Sequence, residues 1–163
     1  MLHFLLWFIA FHAFYYAPTS PDSARERTTR ALLRGYATGA ASFLRLFDQE
    51  VTAIDRTVSG RVQLQIARNC DAIQSKIVVL SAILAFPASW LRKLSGLLAC
   101  LAAIALLNLL RIVTLYWLLR DWPDWFEFVH LKVWQPVMVG AAIVLFVCWT
   151  RYALRTQQPV ETT

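Results

Sequence analysis

Three side chains in this sequence are suited to acyl transfer: the thiol of Cys70, the imidazole of His130 and the guanidinium of Arg111. A thiolate attacks a carbonyl carbon, and an imidazole takes the thiol proton and returns it to a leaving amine. A fixed guanidinium holds the carbonyl oxygen as it becomes an oxyanion. Each residue also has a plainer reading by itself. Cys70 would serve as a small apolar residue at a helix start, His130 as an interfacial histidine among aromatics, and Arg111 as a side chain snorkelling to lipid headgroups.

Arg111 lies inside a long apolar stretch, where insertion of a central arginine costs about 2.5 to 3.5 kcal/mol. Asn108 precedes it by three residues and Thr114 follows at the same spacing, so the three share one helix face. That stripe favours a buried polar site in which Asn108 orients Arg111. Cys70 is expected at the start of a helix capped by Asn69, where the backbone dipole lowers a thiol pKa, while the Asp71 charge opposes it. Cys100 and Cys148 sit in apolar runs and read as packing residues. His3 and His12 lie in an aromatic segment and are given no role. Three distant cysteines with no CxxC pair signal neither a disulfide framework nor a zinc site, and no metal or cofactor is expected.

These groups need elements to carry them. Of the 163 residues, 58% are hydrophobic and 16% charged, which excludes both an ordinary soluble domain and a disordered chain. The net charge of +6 lies between long apolar runs, so it indicates a lipid bilayer rather than nucleic acid as partner. The expected fold is an all-α polytopic membrane bundle of four spans (five in one alternative), forming a single domain over residues 1–163. A crossing takes roughly 20 helical residues. The first span is read over residues 2–17 and taken as retained rather than as a cleaved signal, because no basic residue precedes its apolar run. The core spans are read over residues 72–90, 94–119 and 131–150, with a cytoplasmic tail over 151–163.

Residues 18–69 differ in character. The stretch 19–30 is polar and turn-forming, and 31–47 suits an amphipathic helix lying in the interface. In the stretch 51–67, Val62, Leu64 and Ile66 alternate with Gln63, Gln65 and Ala67, and Ser59-Gly60 supplies a turn. This predicts a small β-hairpin. Arg92-Lys93, Arg151 and Arg155 assign their segments to the cytoplasm, and the acidic stretch 121–130 becomes an outward loop. Arg25, Arg27, Arg30 and Arg34 resist that assignment, unless 31–47 crosses the membrane and the spans number five. In either version Cys70, His130 and the outer part of the Arg111 helix share the extracytoplasmic face.

At these positions the chain resembles the exosortase/archaeosortase family of membrane cysteine transpeptidases. The resemblance is carried by Asn69-Cys70-Asp71-Ala72, Phe86-Pro87-Ala88-Ser89-Trp90-Leu91-Arg92, Asn108-Leu109-Leu110-Arg111-Ile112 and Phe126-Glu127-Phe128-Val129-His130. The continuation Leu131-Lys132-Val133-Trp134-Gln135 is most similar to the short exosortase H type. The resemblance covers about residues 67–149 and implies catalytic roles for Cys70 (nucleophile), His130 (general base and acid) and Arg111 (oxyanion stabilisation). It implies secreted protein substrates bearing a carboxy-terminal motif, a transmembrane helix and a basic tail. These would be cut through a thioester and passed to an unidentified acceptor at the inner membrane. One departure stands out: where the family usually has a small polar residue and then glycine after the cysteine, this chain has Asp71 and Ala72. Three other readings stay open: a hydrolytic protease using the same residues, a non-catalytic subunit or transporter component binding an anion through Arg111, and a haem anchor.

Overall fold

The computed structural model describes residues 1–18, 20 and 23–155; Thr19, Pro21, Asp22, residues 156–163 and the side chain of Asn69 lie outside that description. Helix α1 (Leu2–Tyr16) is apolar on all sides and stops before Pro18, with Ala17 already extended. Arg25 donates to the carbonyls of Phe14 and Ala17, supplying partners to the end of that helix. Helix α2 (Ala24–Leu44) starts earlier than the amphipathic pattern suggests. The hydroxyl of Ser23 accepts from the Glu26 amide at 3.2 Å, and serine with glutamate three residues on is a helix-starting pair. The expected polar turn over 19–30 is therefore largely helix. One face of α2 is buried through Leu33, Tyr36, Ala37, Ala40, Ala41 and Leu44.

The expected hairpin is a three-stranded antiparallel sheet: β1 (Thr52–Ile54), β2 (Thr57–Ser59) and β3 (Gln63–Gln65), paired in that order. The extra turn at 55–56 is made by Asp55 at φ 53°, a left-handed conformation that aspartate tolerates better than most residues. Val58, Ile66 and Val51 face inward and join the α2 stripe, Ile112 and Tyr116 in one core.

A short 3₁₀ turn (Arg68–Cys70) leads to α3 (Ile73–Ala85). That helix ends before residue 90, the expected limit, because Pro87 forces Phe86 into an extended conformation. Lys93 then reaches back and donates to the Leu84 carbonyl at 2.7 Å. Helix α4 (Trp90–Asp121) runs 32 residues, about 48 Å at 1.5 Å per residue. Trp122 alone breaks the chain before α5 (Pro123–Phe128), so the outward loop expected over 121–130 is helical instead, with Pro123 in the first turn. A π-helical turn (Val129–Val133) joins α5 to α6 (Trp134–Arg155), giving one rod from Pro123 to Arg155. The π turn lies one turn before Pro136, whose ring crowds the carbonyl four residues back, that of Lys132.

Helices α4 and the Pro123–Arg155 rod are long and apolar enough to cross a membrane. Helices α1 and α3, with 15 and 13 residues, are apolar but shorter than an upright crossing requires. Helix α3 packs against α1, α4 and α6, and α2 covers the sheet and the flank of α4. A second core lies along α3, α4 and α6 around Val79, Ile83, Ile104, Met138 and Trp149. The antiparallel course of α3, α4 and the rod brings three sequence-distant points to one end of the bundle: the 3₁₀ turn, the second half of α4 and the π turn.

Candidate active site

The turn bearing Cys70 is held from several sides. The Ile66 amide donates to the Arg56 carbonyl at 2.8 Å, fixing the turn to the sheet, and the Cys70 amide donates to Ala67 at 2.9 Å. From α4, the Asn108 side-chain amide donates to the Cys70 carbonyl at 2.9 Å. Cys70 therefore ends the 3₁₀ turn and does not sit in the first turn of α3, as the sequence pattern suggests. Ala72, at φ 56°, turns the chain between them through the left-handed region. The Asp71 carboxylate accepts from the Ile73 amide at 3.0 Å, and the capping expected of the Asn69 side chain lies outside the described residues.

His130 lies in the π turn, its ring beside that of Phe126 at 5.5 Å between centroids. Its Nε2 is 3.5 Å from the Cys70 Sγ, across sixty residues of sequence. This is loose hydrogen-bond contact for a sulfur and the arrangement that proton transfer from thiol to imidazole requires.

Arg111 is 2% exposed, although it carries a full charge. Among the described residues its Nε and one terminal nitrogen (Nη2) have no partner, and neither has the Asn108 Oδ1. Asn108 thus contacts the Cys70 backbone and makes no hydrogen bond to Arg111, the side chain it is expected to orient. The guanidinium lies within electrostatic reach of both Cys70 and Asp71. It also lines a small cavity of about 70 Å³ with Gln74, Ser75, Gln135 and Tyr16. Neither Cys70 nor His130 lines that cavity. Thr114 shares its face but bonds the Arg111 carbonyl at 2.9 Å, as packing within the helix allows.

Burial pushes the Cys70 thiol above its ordinary range, and the nearby Arg111 cation pulls it part of the way back. Burial likewise raises the Asp71 carboxyl, with the Tyr15 hydroxyl and the Ile73 amide acting in the opposite direction. At neutral pH the thiol is therefore protonated, and attack needs a base, which His130 is placed to supply.

The other candidates stay apart. Cys100 packs against the Leu145 carbonyl in the α4–α6 seam, and Cys148 lines the same apolar groove. His12 stacks between Phe8 and Tyr16 on α1. Among the described residues no cluster of three or more His, Cys, Asp or Glu side chains is placed to hold a metal ion. What the sequence reading does not assign is the polar set around the turn. Tyr15 donates to Asp71, and the Lys76 ammonium donates to the Asp71 carbonyl at 2.8 Å and to the Tyr36 hydroxyl at 3.0 Å. Lys76 carries the one available signal, as a lone cation inside an apolar helix.

The family model of the transmembrane exosortases (Exosortase_EpsH) matches residues 2–148, a span that contains all four site positions. No curated protein and no solved structure matches the chain significantly. A match over most of the sequence, taken with apolar helices of crossing length, makes this chain a member of the transmembrane exosortase family.

Proposed function

We propose that the protein is a membrane cysteine transpeptidase that cleaves the carboxy-terminal sorting signal of secreted proteins and passes the product to an acceptor. The observation that carries this reading is the 3.5 Å approach of the Cys70 Sγ to the His130 Nε2, beside a buried Arg111. Family membership supports the general class, a membrane transpeptidase-like role.

In the proposed reaction, His130 takes the thiol proton as the sulfur attacks the scissile carbonyl, forming a C–S bond. The resulting oxyanion is stabilised by Arg111, whose unpartnered N–H groups are available for it. Collapse breaks the C–N bond, His130 protonates the leaving amine and a thioester remains. An acceptor amine then attacks the thioester. His130 removes its proton, the C–S bond breaks and the thiol is restored. With water as acceptor, the same steps give hydrolysis. Asn108 holds the Cys70 carbonyl and with it the nucleophile's turn.

The substrate we infer is a secreted protein whose own transmembrane helix and basic tail anchor its motif at the membrane surface. The site is assigned to the outer face of the inner membrane, because Arg92, Lys93, Arg151 and Arg155 lie at the opposite end of the bundle. Three of the four arginines that resist this orientation have partners: Arg25 donates to the end of α1, Arg30 meets Glu26 and Arg34 meets Asp55.

The test is processing of a tailed substrate by Cys70→Ala and Cys70→Ser variants, with Cys100→Ala alongside. Loss with the first two and retention with the third supports the assignment; unaltered processing by Cys70→Ala refutes it. Product mass separates transfer from hydrolysis, since an added group appears only in the former. If thiol alkylation leaves function intact while Arg111→Ala abolishes it, Arg111 is an anion-binding group in a non-catalytic subunit.

A further inference from the structure

Directly after the nucleophile stands a fully buried acid. Asp71 has no exposed surface, and a charge beside a thiol disfavours the thiolate needed for attack. Yet both carboxylate oxygens are occupied: Oδ2 accepts from the Tyr15 hydroxyl near the end of α1, and Oδ1 accepts from the Ile73 amide at the start of α3 at 3.0 Å. The backbone carbonyl of the same residue accepts from Lys76 at 2.8 Å, and Lys76 continues to Tyr36 on α2 at 3.0 Å. Three helices thus bond these two residues, with Asn108 of α4 donating to the Cys70 carbonyl, and α2 joins them through Lys76. Helix α1 packs along α3, and Tyr15 is its hydrogen-bonded link to the reactive turn.

We propose that Tyr15 and Asp71 are positioning residues: the phenol engages the carboxylate next to Cys70, so the turn is anchored to α1 and the acid's charge is satisfied by donors other than the thiol. The N-terminal helix is then a working part of the centre. The proposal rests on Cys70 being the nucleophile, and it accounts for an aspartate at a position where the family usually has a small polar residue. The titratable and charged groups around Cys70 are His130 from the π turn, Arg111 from α4 and Asp71 itself, with Lys76 on the Asp71 carbonyl and Arg68 in the same turn.

The experiment uses full-length protein in lipid nanodiscs. Iodoacetamide alkylation of Cys70 is followed by peptide mass from pH 6 to 10, with thermal unfolding measured on the same samples. Asp71→Asn removes the charge and moves the alkylation limb to lower pH. Tyr15→Phe keeps the ring but withdraws the donor; over the range where Asp71 is ionised its charge then bears more fully on the thiol, so the limb moves up by about half a unit and alkylation at pH 7.5 slows by about threefold. In the double variant, Tyr15→Phe adds no further shift, because the charge it managed is gone. A Tyr15→Phe limb that coincides with wild type, or shifts that simply add, overturns the proposal, and so does a loss of thermal stability with no movement of the limb. Alkylation does not depend on turnover. Processing that survives Cys70→Ala would therefore sink the proposed reaction, while the limb positions would still report on the Tyr15–Asp71 link.

Discussion

The Asn108 side-chain amide donates to the main-chain carbonyl of Cys70 at 2.9 Å, linking the middle of α4 to the end of the 3₁₀ turn. Asn108 has no exposed surface and Cys70 is half-buried, so the carbonyl is poorly placed to find water if the donor is lost. A buried acceptor left unsatisfied costs about 1–3 kcal/mol. Asn108→Leu is therefore expected to lower stability by about that amount. The turn's new freedom should also slow substrate processing tenfold or more, since about 1.4 kcal/mol off transition-state stabilisation is a factor of ten. Asn108→Asp should be worse, because it faces a carbonyl with a carboxylate. Processing rate and thermal unfolding, measured together, check both.

The protonation of Cys70 makes a second prediction. Burial places the thiol above its ordinary range, so the thiolate fraction at neutral pH is smaller than for a free cysteine. Alkylation should climb steadily between pH 7 and 9, with its midpoint above the ordinary value of about 8.5. Arg111 pulls the thiol down, so Arg111→Gln removes that pull and moves the midpoint higher still, with slower alkylation at pH 7.5. Substrate processing should behave differently. If His130 takes the proton during attack, turnover rises at lower pH than alkylation does, because no preformed thiolate is needed. Coincident profiles would instead mean that only the thiolate reacts.

Why the site residues were readable in the sequence while their setting was not follows from the range of each interaction. Asn108 and Arg111 announce themselves by polarity at helical spacing, and Pro87 marks a break that any helix must respect. The start of α2 is also local, in Ser23 and Glu26, yet its polar first turns resemble a loop. The acids of 121–130 suggest an outward loop by charge, whereas Pro123 at a helix start and Pro136 just beyond the π turn govern the backbone. The contact between Tyr15 and Asp71 spans 56 residues and exists only once α1 packs on α3. No periodicity encodes it.

Ala72 supplies a third prediction. Its φ of 56° places an L-residue in the left-handed region, at a cost of about 1–2 kcal/mol that glycine avoids. Its methyl group is nevertheless buried in the α3–α4–α6 core, so glycine relieves strain while giving up a packed group. These effects are of similar size, and Ala72→Gly should shift the unfolding temperature little. Ala72→Val has no such compensation: branching at Cβ makes the left-handed region costlier still and overfills the site. A clear drop in thermal stability is expected for valine alone.

The end of the bundle remote from Cys70 offers a control for all of these. Trp149 donates its indole N–H to the Arg92 carbonyl at 3.1 Å, and its ring lies against Phe86 at 5.5 Å between centroids. Gly96 makes room for it: a Cβ there would stand 2.0 Å from the indole nitrogen and 2.4 Å from the adjacent carbon. The ring cannot retreat without giving up its hydrogen bond, so Gly96→Ala must push α4 away from α6. The expected loss is about 1–3 kcal/mol, typical of an overfilled core. Gly140, in the first half of α6, has nothing within 4 Å of an added Cβ. Gly140→Ala should be neutral or stabilising by up to about 1 kcal/mol, since alanine favours helix over glycine. Thermal unfolding in nanodiscs reads both. Because Gly96 lies more than three helical turns from Asn108 on α4, Gly96→Ala should leave the pH midpoint of Cys70 alkylation where it is. A shift there would mean that the two ends of the bundle are mechanically coupled.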